Sequence, residues 1–258
     1  MTPRRPAHRH HRLLAALALA LAAAISLAPA RVAAQAPDTS ASAEGDETRP
    51  PRLFATWHAP HGMPGATSNL MTPCGDTTQV DTLFLSFAAG RYTRTFIRVD
   101  AALLFYPQQG DTLLPFWFFK RDWPNAGNML IDFESQSGVI GTVPWPNGGA
   151  GHVSYDHRSG RGRLDLVFVG DRGGAGSLTP SEEYVLARVR IRHRRTDLAG
   201  CSQPVCIELA EAQLKFIGQR PMIISSGAER FATWNSPDGS VCKPYLSHPL
   251  VLPWLPGR

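Results

Sequence analysis

Apolar and polar residues alternate with a period of two along the middle of the chain. The clearest runs are 97–106 and 185–192, in which every second residue is apolar. Successive side chains of a β-strand point to opposite faces, so this period predicts strands with one buried face. Adding the shorter or more apolar runs predicts eight or nine strands in all, the further ones being 80–87, 113–119, 129–133, 152–156, 164–168 and 207–216.

Turn-forming segments rich in Gly and Pro separate these runs, for example 107–110 and 146–149. No helical pattern of comparable length lies between them. Consecutive strands without intervening helices are typical of antiparallel sheets. The sequence therefore predicts an all-β fold, an antiparallel β-sandwich or jelly roll, in a single domain.

The first 34 residues have the composition of a signal peptide. Residues 1–12 carry Arg and His, 13–30 is uncharged and mostly Leu and Ala, and small residues follow at 32–34. An uncleaved membrane anchor is the alternative, but Pro29 and the small residues disfavour it. We expect cleavage after Ala34 and a secreted protein, extracellular or periplasmic, with no membrane attachment after cleavage.

The remaining chain divides by composition. Residues 35–52 offer almost nothing to bury and are predicted to form a disordered linker. Residues 53–242 are predicted to form the β-sandwich with a lead-in strand, and 243–258 is a tail with four prolines. The chain has 26 basic and 21 acidic residues, and removing the five arginines of the signal peptide leaves 21 of each. That balance excludes nucleic-acid binding driven by overall charge.

Four cysteines in an exported protein predict two disulfides. Cys201 and Cys206 are separated by four residues, a spacing that a local bridge could close, and Cys74 then pairs with Cys242 by default. A metal site would need paired Cys-x-x-Cys spacing, which is missing.

A nine-residue pattern occurs twice. Residues 54–62 and 231–239 share Phe-Ala-Thr-Trp-x-x-Pro-x-Gly. We interpret both copies as short strands with buried Trp anchors, because large aromatic residues are usually buried. Two matched binding loops with exposed Trp are the alternative.

The most aromatic segment, 113–124, supplies the first candidate for ligand binding. Strand alternation would place Phe116 and Phe118 on one face and Trp117 and Phe119 on the other, with Trp123 in the following turn. A face that presents Trp117, Phe119 and Trp123 could stack on sugar rings or anchor a protein partner. A core strand is the alternative.

Arg188, Arg190 and Arg192 form the second candidate, since the period of two places them on one face of a strand. Neighbouring like charges repel, so this face must be solvated or paired with acids. A solvated face is one interpretation. A site for an acidic polymer or a partner that carries carboxylates is the other.

Catalytic motifs are missing from the sequence, including Gly-x-Ser-x-Gly, His-Glu-x-x-His and the phosphate-binding loops. His152 and Asp156, with His157 adjacent, and the pair His58 and His61 are weak alternatives for a metal or acid–base site. A hydrolase is therefore a minor alternative, and no catalytic residue, metal or cofactor is assigned.

Three runs, 80–87, 97–107 and 184–191, resemble the strands of cohesin-type domains, and the resemblance extends over about 80–216. It implies a nine-stranded jelly-roll sandwich and a secreted, non-enzymatic binding module. The cysteines, the aromatic segment and the absence of a dockerin-like calcium loop depart from that pattern. We expect a monomer that binds a polysaccharide or an extracellular protein through a sheet face. A structural component of the envelope or the extracellular matrix is the alternative.

Overall fold

The computed structural model describes residues 49–133, 142–145, 148–171, 176–180, 182–195, 197–237 and 242. The predicted signal peptide 1–34, residues 35–48 of the predicted linker and the tail 243–258 lie outside the described residues. Within the described part, no helix has the length and hydrophobicity needed to cross a membrane.

The described residues form strands and two short 3₁₀ turns, Pro115–Trp117 and Ala228–Arg230, with no α-helix. The strands are β1 Arg52–Trp57, β2 Asn69–Leu70, β3 Val80–Ala88, β4 Thr93–Pro107, β5 Met129–Asp132, β6 Gly149–Arg158, β7 Arg161–Gly170, β8 Gly176–Leu178, β9 Glu183–Arg192, β10 Val205–Phe216, β11 Met222–Ile224 and β12 Phe231–Trp234. The prediction of an all-β fold is confirmed. More than nine strands form because β2, β8 and β11 have only two or three residues, too few to show an alternating pattern.

Two sheets make up the sandwich. The first has four strands in the order β1-β3-β9-β5, and the second has eight, with the path β2-β12-β10-β4-β7-β6, β11 beside β10 and β8 beside β4. All strand pairs are antiparallel except β2 with β12. Alternate residues of both sheets, such as Leu83, Leu85, Val189, Leu103 and Ile207, form one buried cluster. Burial of each such side chain stabilises the fold by about 1.5–3 kcal/mol.

The repeated pattern forms matching structures, as we interpreted it. Phe54 to Trp57 lies in β1 and Phe231 to Trp234 is β12. Both Trp side chains are fully buried, their ring centroids are 5.7 Å apart, and Trp57 Nε1 donates to the Thr233 carbonyl at 3.0 Å. The residue after each Trp has a left-handed backbone, with φ of 68° at His58 and 48° at Asn235. The chain therefore leaves the sheet at equivalent points of the two copies.

The predicted disulfide pairing is wrong. Cys74 bonds to Cys201 and Cys206 bonds to Cys242, with Cα–Cα distances of 5.8 and 5.4 Å, rather than Cys74 to Cys242 and Cys201 to Cys206. Cys201 belongs to the cluster between the sheets, whereas Cys206 on β10 packs with Tyr106 in a separate cluster outside it. Cysteines close in sequence therefore lie on opposite sides of a sheet, where a local bridge cannot form.

Candidate functional site

The predicted aromatic face does not exist as a surface. Trp117 is 0% exposed and Phe119 is 6% exposed. Residues 113–119 form no strand, since Pro115 begins a 3₁₀ turn and its fixed φ and missing N–H suit that position. The ring of Trp117 packs 5.2 Å from that of Trp234, and its Nε1 donates to the Gly200 carbonyl at 3.0 Å. The expected exposure of Trp117 and Phe119 is therefore wrong, and both are core residues.

Trp123 does lie at the surface, in a half-buried aromatic cluster. Its ring centroid is 4.7 Å from that of Phe118 and 5.5 Å from that of His157. Burial lowers the pKa of His157, against the opposing charge of Asp156. The rings meet at interplanar angles of 64° and 65°, so each ring packs edge to face against its neighbour. The cluster offers edges rather than an open platform.

His152, Asp156 and His157 do not converge on one site. His157 turns inward to Phe118, with ring centroids 4.4 Å apart. Asp156 pairs with Arg158 at 2.6 Å and with Lys120 at 3.8 Å. Because alternate residues of β6 face opposite ways, Asp156 and His157 lie on different sides of the sheet.

The three arginines share one face, as their spacing predicts. They occupy β9, an inner strand of the four-stranded sheet, at positions whose side chains point away from the core. Arg188 lies opposite Phe84 of β3 and Asp132 of β5. Thr82 and Leu130 flank Arg190, and Val80 lies opposite Arg192. We name Arg188, Arg190 and Arg192, with these flanking residues, the arginine face.

Positive charge on the arginine face is only partly neutralised. Asp132 Oδ2 accepts a short hydrogen bond from Arg188 Nη2 and lies 3.8 Å from Arg190 Nη2. The Nε atoms of both arginines are buried without a hydrogen-bond partner. Arg192 makes no ion pair with any residue that the structure describes. One carboxylate therefore serves two of the three guanidinium groups.

An acidic group lies at the other end of β9 on the same face. Ser86 donates a short hydrogen bond to Glu183 Oε1, and the backbone N–H of His61 donates to the same atom at 3.1 Å. His61 Nδ1 lies 3.7 Å from Glu183 Oε2, and the imidazole stacks on Phe54 at 4.3 Å. Burial raises the pKa of Glu183, against the opposing effects of Ser86 and His61. His61 is a candidate in the sequence, but its partner Glu183 is 122 residues away, so no local pattern connects the two.

Two shallow grooves, of about 480 and about 310 Å³, adjoin His61. Glu182 and Glu183 both line the smaller groove. The hydroxyl of Thr142 lowers the pKa of Glu182, whereas burial raises that of Glu183. The described residues contain no group of three or more His, Cys, Asp or Glu side chains arranged to hold a metal ion.

A buried polar cluster that sequence analysis missed lies at one end of the sandwich. His193 Nε2 and Asp81 Oδ2 are 2.7 Å apart, and Thr72 and Gln79 donate to the same carboxylate at 3.0 and 2.9 Å. Burial alone would raise the pKa of Asp81, but the hydrogen bonds from His193, Gln79 and Thr72 lower it. The cluster joins the lead-in segment to β3 and to the end of β9. Its members are widely separated in sequence, so no local pattern marks them.

Comparison with known proteins finds no matching family model and no matching curated protein. Two solved structures show a distant similarity of fold, and both are cohesin modules. One is the cohesin module of a family 33 glycoside hydrolase from Clostridium perfringens ATCC13124, with a TM-score of 0.34 and 9% identity over 71% of this chain and 94% of that one. The other is the second type II cohesin module of the cellulosomal adaptor ScaA scaffoldin from Acetivibrio cellulolyticus, with a TM-score of 0.31 and 9% identity over 69% of this chain and 97% of that one.

Proposed function

We propose that this protein is a secreted, non-enzymatic binding module that recognises an extracellular protein or polysaccharide through the outer face of its four-stranded sheet. The arginine face is the observation that carries this proposal. Asp132 pairs with both Arg188 and Arg190, and Arg192 pairs with no acid that the structure describes. Arginine binds carboxylate, sulfate or phosphate groups through paired, charge-assisted hydrogen bonds.

The shape of the region supports binding rather than reaction. The arginines lie on the outer face of a sheet rather than in a cavity, and Arg190 and the neighbouring Val80 are 42% and 45% exposed. Catalysis is favoured by enclosed sites that exclude water and hold reacting groups in place. An open face suits recognition of an extended ligand instead.

Export is supported by two independent features. The N-terminal 34 residues have signal-peptide composition. All four cysteines are engaged in disulfides, which form and persist in oxidising compartments.

A structural component of the cell envelope or the extracellular matrix is the second candidate. The burial of Trp117 and Phe119 favours it, because an exposed aromatic platform would have been a direct sign of a binding module.

The proposal can be tested with immobilised ligands and a matched pair of variants. The panel contains cellulose, chitin, polygalacturonate and poly-L-glutamate. The test variant is Arg188→Gln/Arg190→Gln/Arg192→Gln, and the control, Arg98→Gln/Arg158→Gln/Arg163→Gln, makes the same change of charge on the other sheet. We expect biolayer interferometry to detect binding to at least one ligand, weakened about 10- to 100-fold in the test variant alone.

Two results would contradict the proposal. One is the absence of binding to every ligand by a protein that unfolds cooperatively, which would favour the structural role. The other is equal weakening in both variants, which would mean that net charge rather than this face controls binding.

A further inference from the structure

The spacing of the arginine face matches that of an extended peptide. Arg188, Arg190 and Arg192 are alternate residues of one strand, so their side chains repeat every ~6.6–7 Å. An extended peptide has the same repeat between its own alternate side chains. A peptide with acidic residues at every second position would therefore place one carboxylate near each guanidinium group along the whole row.

We infer that the arginine face binds an extended acidic peptide that carries Glu or Asp at every second position. This inference rests on the proposed function, and it specifies the chemistry of the partner. Asp132 serves both Arg188 and Arg190, and Arg192 pairs with no described acid, so added carboxylates meet donors that are not saturated.

The residues that flank the arginines are uncharged apart from Asp132. Val80, beside Arg192, is 45% exposed, and Thr82 and Leu130 lie on either side of Arg190. These side chains present apolar and hydroxyl surface between the charges, and no described acid other than Asp132 occurs among them. The acidic side chains of the peptide therefore meet no repelling carboxylate beside the arginines other than Asp132.

Glu183 limits how far the acidic run of a bound peptide can extend along β9. It lies on the same side of β9, and both of its carboxylate oxygens are close to His61, with Ser86 also on Oε1. A second carboxylate beside it would be repelled. The acidic run of the peptide should therefore end before Glu183, and a neutral or basic residue should follow.

Three labelled peptides test the inference by fluorescence anisotropy on the full protein. The first, Thr-Glu-Thr-Glu-Thr-Glu-Thr, carries alternating acids. The second, Thr-Thr-Glu-Glu-Glu-Thr-Thr, has the same composition, but its central acid points away from its neighbours when the chain is extended. The third replaces each Glu of the first with Gln.

We expect the alternating acidic peptide to bind at least about tenfold more tightly than the clustered one, and the Gln peptide not to bind. Arg188→Gln/Arg190→Gln should abolish that preference, and Arg98→Gln/Arg163→Gln should retain it. Arg192→Gln disturbs no described ion pair, and as a second test it should also weaken binding of the alternating acidic peptide.

Equal affinity for the two acidic peptides would overturn the inference, because attraction would then depend on charge alone. Binding of polygalacturonate through this face, without binding of any peptide, would overturn the inference but uphold the proposed function. Failure of every probe, polysaccharides included, would overturn both.

Discussion

The two outer faces of the sandwich handle charge differently. On the eight-stranded sheet, three arginines have acidic neighbours two residues away on the same strand. Arg98 pairs with Asp100 at 2.6 Å, Arg163 with Asp165 at 2.8 Å, and Arg158 with Asp156 at 2.6 Å. On the four-stranded sheet, β9 has arginine at three successive outward positions, and Asp132 reaches two of them from the neighbouring strand.

The difference shows that the order of charges along a strand affects how strongly its face attracts a charged partner. Opposite charges at alternate positions neutralise each other within one strand, and the resulting face attracts charged partners only weakly. Like charges at alternate positions cannot do so and depend on acids from elsewhere. The arginine face is therefore open to carboxylates from a partner, whereas the outer face of the eight-stranded sheet is already satisfied.

The largest expected effect concerns the burial of the aromatic segment, because the arginine face is the main candidate for binding only if Trp117 is not at the surface. Trp117→Ala should destabilise the protein by about 3–5 kcal/mol because it removes a fully buried ring. Trp123→Ala should cost only about 1 kcal/mol, since this ring is half-buried. Urea unfolding followed by far-UV circular dichroism measures both. Comparable costs at the two positions would mean that Trp117 is not interior, and an aromatic surface would then compete with the arginine face.

A matched pair of substitutions compares the two faces directly. Asp132→Asn should cost about 1–2 kcal/mol, because Arg188 and Arg190 are only 23% and 42% exposed and would lose their shared carboxylate. Asp100→Asn, an identical change on the other sheet, should cost at most about 1 kcal/mol, since the Asp100 side chain is 26% exposed, against 18% for Asp132, and water screens its ion pairs more. The midpoints of urea unfolding of the two variants and the wild type measure both losses of stability. Equal losses would show that the two faces are energetically alike.

The smallest expected effect is a change of stability with pH that Glu183, on the four-stranded sheet, causes. Burial raises the pKa of Glu183, so the folded state binds this proton more readily than the unfolded state does. Its contribution to stability is complete below the unfolded value of about 4.5 and is lost as pH rises through the folded value. We expect Glu183→Gln to gain stability relative to the wild type between pH 4 and pH 7, by less than the cost of Asp132→Asn.

Glu182→Gln is the control for that measurement, because the hydroxyl of Thr142 lowers the pKa of Glu182. A lowered pKa stabilises the folded state above the unfolded value and loses that effect as pH falls. The stability of Glu182→Gln relative to the wild type should therefore change with pH in the opposite direction. Urea unfolding at several pH values measures both trends. Parallel trends for the two variants would show that the pKa values of Glu183 and Glu182 do not shift in opposite directions.

Sequence periodicity was sufficient for much of the fold. The alternation of 97–106 and 185–192 corresponds to β4 and β9, and the shared face of the arginines follows from it. It failed at 113–119 because apolar residues are consecutive there, so both faces look alike and alternation has no meaning. Pro115 was the available signal, since a proline in a central strand would remove a ladder hydrogen bond.

The disulfides and the polar clusters could not be found from local patterns. Pairing of Cys206 with Cys242 depends on which side of β10 faces the core, and spacing alone does not reveal that. The contacts of His61 with Glu183 and of His193 with Asp81 join residues more than 100 positions apart. Such contacts form only when the sheets bring distant strands together.

The amino-acid sequence alone is enough to predict the all-β class, the strands with strong alternation and the run of like charges on β9. Each of these depends on local chemistry, because the period of two assigns side chains to faces before any tertiary contact forms. The tertiary structure decided which aromatic rings are buried, how the cysteines pair and which acids reach the arginines. These properties depend on how strands distant in sequence are arranged around one core, and Asp132 reaches Arg188 only because β5 pairs with β9.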